Sequence, residues 1–332
     1  MTSAALLCPM RIVFLGTPNF AVATLEALLD AGLDVVGVIT ATDKLGGRGG
    51  KQLLESAVKK SAKAHDLPLL QPRNLKGKRF LAALREWRAD LQVVVAFRML
   101  PKLVWDMPPL GTINIHGSLL PAYRGAAPIH WAVINGETVT GVTAFFLRHA
   151  IDTGDLLLQR ELSIGPNETT GEVYERLMAL GAEAVVEAVG RIAKGHTHGT
   201  PQDEQSVSHA PKIFREDCRI NWSASAKTCH DFIRGMSPYP GAWTLLDGKE
   251  LKILRTCISP KRTNVPPSQL IPLDSDETCF GESPGLGIST GDGAVVEVLQ
   301  VKPAGKRKMS GIDLRNGLRL SEARALTSDS PD

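Results

Sequence analysis

Asn114 and His116 close the run Thr112-Ile113-Asn114-Ile115-His116, and their alternation with isoleucine puts both polar side chains on one face of a strand. An amide donor beside an imidazole at a strand end has the means to hold an oxyanion and to move protons. An isolated Asn-x-His pair is weak evidence, and on its own polar capping of a strand end is the better reading. Asp152, in Ile151-Asp152-Thr153-Gly154, falls between two expected strands. A carboxylate at such a turn ordinarily bonds nearby backbone amides. If the fold brings it to His116, it favours the charged imidazole and can pass a proton through water.

Other chemistries are poorly served. Gly16-Thr17-Pro18-Asn19-Phe20 stands where a dinucleotide-binding loop would stand, but it is not G-x-G-x-x-G and Pro18 removes an amide donor. A tight strand-to-helix turn is expected there, and no nicotinamide site. Cys8, Cys218, Cys229, Cys257 and Cys279 are scattered, odd in number and free of any C-x-x-C pair, so neither a disulfide framework nor a zinc site is expected. His196, His198 and His209 lie in a polar, Gly- and Pro-punctuated stretch with no carboxylate or thiol spaced to complete a metal set. No metal is expected.

The elements that must carry Asn114, His116 and Asp152 follow from periodicity. Arg11 to Gly16 and Asp34 to Thr40 read as buried strands, with Phe20 to Ala31 at helical spacing between them, which makes a βαβ unit of a parallel sheet. Leu91 to Phe97, Thr112 to His116, Val142 to Leu147 and Leu156 to Leu162 read as further strands. Leu53 to His65, Phe80 to Trp87 and Thr170 to Lys194 read as helices. Residues 196–214 read as a linker. Beyond it come a helix over Ser225 to Arg234 and short strands at Ala242 to Leu246, Glu250 to Thr256, Gly285 to Thr290 and Ala294 to Val301, a β-barrel pattern. Residues 259–283 read as a long loop. The expected organisation is a Rossmann-like α/β domain over 10–195, the linker, and a smaller OB-like β-barrel over 215–320. Met10 directly precedes the first strand and is an alternative start; an export signal is not expected.

The 332 residues carry a net charge of +3, with 43% hydrophobic and 22% charged residues, which excludes disordered and fibrous classes. The charge is unevenly spread. Residues 43–88 hold twelve Lys or Arg against four Asp or Glu, a balance of +8, so the remainder carries −5. A local basic field of this kind suits a polyanionic partner, and a solvated helix face explains it about as well. Within it, Asp43-Lys44-Leu45-Gly46-Gly47-Arg48-Gly49-Gly50-Lys51 reads as a glycine-rich basic loop.

Asn114-x-His116, Ser118-Leu119-Leu120-Pro121-x-x-Arg124-Gly125 and Asp152-Thr153-Gly154, taken together and in order, resemble the signature of the 10-formyltetrahydrofolate-dependent formyltransferases. Gly16 to Phe20, Arg124 to Ile129, Asn135-Gly136-Glu137, Ala210 to Ile213, Ser237 to Trp243 and Pro303 to Lys306 extend the resemblance to the branch acting on methionyl-tRNA, from about Met10 to Gly317. The resemblance implies formyl transfer from 10-formyltetrahydrofolate to the amino group of initiator methionyl-tRNA. It assigns catalysis to Asn114, His116 and Asp152, and the folate site to Ser118, Leu119, Leu120, Pro121 and Phe97. The tRNA contacts it implies are Lys44, Arg48, Lys51 and Lys306. Phe97-Arg98 departs from the Tyr-Gly common near the pterin. A cytoplasmic monomer with no membrane partner is expected.

Overall fold

The computed structural model of the chain describes residues 10–46, 50, 52–281, 283–320 and 324–326. Arg48 and Lys51 of the basic loop, and Cys8, lie outside the described residues. The chain divides into two compact units: one of Met1–Gly125, Gly141–Leu162 and Glu175–His209, the other of Ala126–Thr140, Ser163–Tyr174 and Ala210–Asp332. Among the described residues, no helix is long and apolar enough to cross a membrane.

The first unit opens with β1 (Arg11–Gly16), α1 (Asn19–Asp30) and β2 (Asp34–Ile39), and β1 and β2 pair in parallel as their apolar runs require. Ile12, Val13, Phe14 and Leu15 have no exposed surface, because the sheet is covered on both faces. Then come β3 (Lys44–Gly46), β4 (Gln52–Leu54), α2 (Ala57–Ala64), β5 (Leu69–Leu70), α3 (Lys78–Glu86), β6 (Leu91–Val95), α4 (Lys102–Trp105) and β7 (Thr112–His116). After β8 (Arg124–Gly125) the chain runs through α5 (Pro128–Ile134), which belongs to the second unit, and β9 (Val139–Phe146), β10 (Leu156–Ser163) and α6 (Thr170–Ala193) follow. The sheet runs β10-β9-β7-β6-β1-β2-β5, with β9 antiparallel to β7. Strand order reverses beside β1, so the carboxyl ends of β1, β6 and β7 border the crevice where open parallel sheets bind ligands. Gly16 ends β1 there; a Cβ on it would come within 2.5 Å of the Ala21 Cβ.

The helix expected from Leu53 begins later. Ser56 caps α2 by accepting from the Lys59 amide, while Gln52–Leu54 pairs antiparallel with Lys44–Gly46. The two short strands form a ribbon whose Leu45 and Leu53 are exposed, at 72% and 58%. Helical spacing of its leucines misled because they face solvent, not a core.

The second unit holds β11 (His209–Ala210), α7 (Ala226–Met236), β12 (Ala242–Leu246), β13 (Lys249–Arg262), β14 (Gln269–Leu273), β15 (Gly285–Ser289), β16 (Ala294–Pro303), β17 (Met309–Ser310), α8 (Gly311–Leu318) and β18 (Arg324–Ala325). Ser225 caps α7, where the helix was expected to start. The antiparallel order β12-β13-β16-β15-β14-β18 makes a half-barrel. Register shifts along β13 bend it around a core of Ile233, Met236, Leu251, Ile253, Leu286, Ile288 and Val296. Residues 259–283 are not a plain loop: β13 runs on to Arg262, and β14 adds an inner strand.

The cysteine expectation fails as well. Cys257 on β13 is joined to Cys279 by a disulfide spanning 22 residues, whereas Cys218 and Cys229 are free and buried. The pairing is made by the sheet bringing distant segments together, so no local spacing announces it.

Candidate active site

β7 lies between β6 and β9, with Asn114 in register with Val94 and Phe145. This central position buries Ile113 and Ile115 on one face and turns Asn114 and His116 to the other. Asn114 is half-buried, and its side-chain amide meets no hydrogen-bond partner among the described residues. An amide in that state is a donor held in reserve.

His116 is buried, and both ring nitrogens have a defined outlook. Nε2 lies 2.9 Å from the Tyr123 carbonyl oxygen. A carbonyl only accepts, so Nε2 carries a proton and donates. Nδ1 is then the atom that gains and loses one, and it faces Asp152 Oδ2 at 3.7 Å, with 7% and 12% of the two side chains exposed. That distance is too long for a hydrogen bond and short enough for a strong charge interaction once the ring is protonated.

Asp152 is positioned by a loop built around it. Its φ of 54° places it in the left-handed region, and its Oδ2 accepts the Gly125 amide at 2.9 Å. Gln202 Nε2 donates to the Asp152 carbonyl at 2.9 Å and to the Gly154 carbonyl at 2.8 Å. Gly154 is obligatory: a Cβ there would lie 1.5 Å from the Phe146 carbonyl oxygen. Arg124, 93% buried by its 7% exposure, donates through Nε and Nη2 to Gln202 Oε1 at 3.0 and 2.7 Å, and through Nη2 to Glu204 Oε1 at 2.9 Å. Ser208 Oγ accepts the Tyr123 amide at 2.9 Å, fixing the residue whose carbonyl holds His116. Gln202, Glu204 and Ser208 fall in the stretch read as a linker. They position the site, and their own sequence context carries no sign of it.

The chain matches the Formyl transferase family over residues 10–189 and the Formyl transferase, C-terminal domain family over residues 212–319. The chain belongs to the formyl transferase family. A methionyl-tRNA formyltransferase of Bacteroides fragilis is 47% identical over 95% of this chain and 97% of its own. That of Flavobacterium johnsoniae is 44% identical over 94% and 98%. Among solved structures, HypX from Aquifex aeolicus with tetrahydrofolic acid superposes with a TM-score of 0.62 at 19% identity, covering 97% of this chain and 51% of that one. A sugar 3N-formyl transferase with dTDP and 5-N-formyl-THF gives 0.64 at 19% identity, covering 90% and 100%. These structural likenesses concern the fold.

The segment expected to line the folate site is engaged with the formyltransferase's own core. Ser118 Oγ donates to the Ala122 carbonyl at 2.7 Å, Thr143 Oγ1 donates to the Ser118 carbonyl at 2.7 Å, and Gln159 Nε2 donates to the Leu120 carbonyl at 2.8 Å. Ser118 and Leu120 are 0% and 2% exposed, and the Leu119 side chain packs over Gly141. Pro121 is half-buried. Phe97, just past β6, is partly buried against the core cluster that includes Val94 and Leu100, with the Arg98 guanidinium 5.8 Å from its ring centroid. Lys44 is exposed on β3, and Lys306 is exposed with Arg307 and Lys308 after β16. Neither lysine has a resolved acidic partner, whereas Lys59 and Lys63 of α2 are taken up by Asp43 and Glu55. The Lys59 ammonium beside it holds the Asp43 carboxyl below its usual range.

Proposed function

We propose that this formyltransferase moves the formyl group of 10-formyltetrahydrofolate to the amino group of initiator methionyl-tRNA. The observation that carries the chemistry is the unpartnered Asn114 amide two residues from a histidine whose exchangeable nitrogen faces a buried carboxylate. The neutral methionyl amine attacks the formyl carbon, a C–N bond forms, and the carbonyl electrons move to oxygen. Asn114 donates to that oxyanion. His116 keeps its Nε2 proton, which it donates to the Tyr123 carbonyl, so it acts through Nδ1 and adds positive charge as that nitrogen takes up a proton beside Asp152. Asp152 stabilises the imidazolium, and the pair relays the proton lost by the amine to the leaving folate nitrogen as the old C–N bond breaks. The products are the N-formylated aminoacyl-tRNA and tetrahydrofolate. No step calls for a metal.

The acceptor is supported by full-length relatives bearing the methionyl-tRNA formyltransferase name, and by surfaces suited to nucleic acid. In the first unit the ribbon offers Lys44, and the sequence resemblance adds Arg48 and Lys51, which lie outside the described residues. In the second, a cavity of about 330 Å³ is lined by Phe214, Tyr239 and Trp243 among Lys212, Arg215 and Lys252, a mix of aromatic faces and cations that suits unstacked bases. Lys306 belongs to the same unit and would add phosphate contacts. Ser118 to Pro121 would meet folate through backbone and rim, since the side chains of Ser118 and Leu120 are buried. Incubation with 10-formyltetrahydrofolate and methionine-charged initiator tRNA, followed by mass analysis of the aminoacyl product, tests the reading. A gain of one formyl group is expected; an unmodified methionyl product refutes it.

A further inference from the structure

Glu297 on β16 sits in register opposite Cys257 on β13 and is 6% exposed. Its Oε2 accepts the Cys279 amide at 2.6 Å and lies 3.4 Å from Cys257 Sγ. In the disulfide that sulfur has no hydrogen to donate. Among the described residues, no Lys, Arg or His pairs with Glu297. A buried carboxylate without a cation is costly, and one backbone amide offsets only part of the cost. Among the described residues, no side chain supplies the charge that would balance it.

The three groups are already gathered. Cys257 Sγ, Cys279 Sγ and a Glu297 oxygen all lie within 4.8 Å of one another. Around tetrahedral zinc, bonds of about 2.3 Å to sulfur and about 2.0 Å to oxygen set an S···O edge of roughly 3.5 Å and an S···S edge of roughly 3.8 Å. The Cys257–Glu297 separation of 3.4 Å matches the first edge. The two sulfurs must part, and they do so when their bond is broken, while Cys279 Sγ already lies within 4.8 Å of the Glu297 carboxylate. Two thiolates select a borderline-soft cation over calcium or magnesium.

We propose that, with the disulfide reduced, Cys257, Cys279 and Glu297 bind one divalent cation of the zinc class, leaving the fourth position to water. A dithiol supplies two electrons and two protons to the sulfurs and is itself oxidised to a disulfide. The cation then displaces both thiol protons and is held by two thiolates and the carboxylate. The segment after the turn Ser275–Glu277 is thereby tied to β13 and β16 in either oxidation state, by a covalent bond or by a cation. Cys218 and Cys229, each without a carboxylate and a second thiol in reach, are not part of such a group.

The test uses the full chain reduced with a phosphine, which becomes the phosphine oxide by taking oxygen from water, then desalted without air and titrated with Co²⁺. One equivalent should produce a thiolate-to-cobalt charge-transfer band with tetrahedral d–d bands, and one equivalent of Zn²⁺ should abolish it. The unreduced protein should show neither band. Cys279→Ser and Glu297→Gln should weaken Co²⁺ binding at least tenfold, with Cys218→Ala unchanged. A reduced chain with no charge-transfer band, or a band that survives in Cys279→Ser, overturns the proposal. Should the variants fail to fold, the unsubstituted chain decides: Zn²⁺ must slow alkylation of reduced Cys279, read by peptide mass, and equal rates with and without zinc overturn it.

Discussion

The formyltransferase contains two buried histidines near a carboxylate, one in each unit, and they are built to opposite ends. His230 on α7 is 3% exposed, donates through Nε2 to the Pro166 carbonyl at 3.0 Å, and lies 2.9 Å from Thr256 Oγ1 through Nδ1. Its neighbour Asp231 is occupied by Arg234 at 2.7 Å and Lys227 at 2.6 Å. Burial, the largest influence, pulls the His230 pKa down and favours the neutral ring, whose two nitrogens both have hydrogen-bond partners. His116 also gives Nε2 to a carbonyl, but among the described residues its Nδ1 meets only the Asp152 carboxylate at 3.7 Å, and the Asn114 side chain beside it meets no partner. The first arrangement holds a helix in place. The second leaves hydrogen-bonding capacity unspent, which is what a site needs to stabilise charge that appears only during reaction.

The sharpest way to break this contrast is to remove the unspent groups. Asn114→Ala, His116→Ala and Asp152→Asn should each lower formylation turnover by about 10²-fold or more with the thermal midpoint little changed. His230→Gln should leave turnover near that of the parent and lower the midpoint instead. Near-parental turnover in any of the first three, measured with charged initiator tRNA, removes that residue from the chemistry.

Leu120→Asp probes whether the expected folate segment is site or core. An unpaired charge at a 2% exposed position should destabilise by about 4 kcal/mol or more, and urea unfolding would show it. A stable variant with selectively weakened folate binding would move Leu120 into the pocket. Gln202→Ala removes the two hydrogen bonds that Gln202 gives the Asp152 turn, so turnover should fall about tenfold while the KM for folate stays near its parental value. Unaltered turnover would show that the turn keeps its shape without Gln202.

Smaller effects are expected at the surface and at the silent histidine. Lys44→Ala should reduce the slope of log affinity for tRNA against log salt by about one, since one fewer counterion is released; an unchanged slope excludes Lys44 from the phosphate contacts. For His230 the sign follows from its lowered pKa. The unfolded chain takes up a proton near pH 6.5 and the folded chain only lower, so the stability contributed by the neutral ring is complete above about 6.5. It is lost as the pH falls toward the folded value. The acid-side drop in thermal midpoint should shrink in His230→Gln, and an identical drop assigns it to other groups.

Sequence by itself put forward Asn114, His116 and Asp152 as the proposed catalytic set, through the family signature, and determined most of the frame. The alternation in Thr112 to His116 fixed which face Asn114 and His116 share, and the apolar runs of β1, β2, β6 and β7 fixed a parallel sheet, because both periodicities are local consequences of backbone geometry. The formyl transferase signature was legible for the same reason: its parts are short and contiguous. Tertiary structure decided what those residues meet. Only the folded loop sets Nδ1 of His116 facing Asp152 and brings Gln202 and Ser208, from a polar stretch with no periodicity, to hold that geometry. It likewise turned Leu53 outward onto a ribbon, made Leu120 a core residue, and joined Cys257 to Cys279 beside Glu297. Each of these depends on contacts between segments far apart in the chain, and such contacts leave no pattern in the residues on either side.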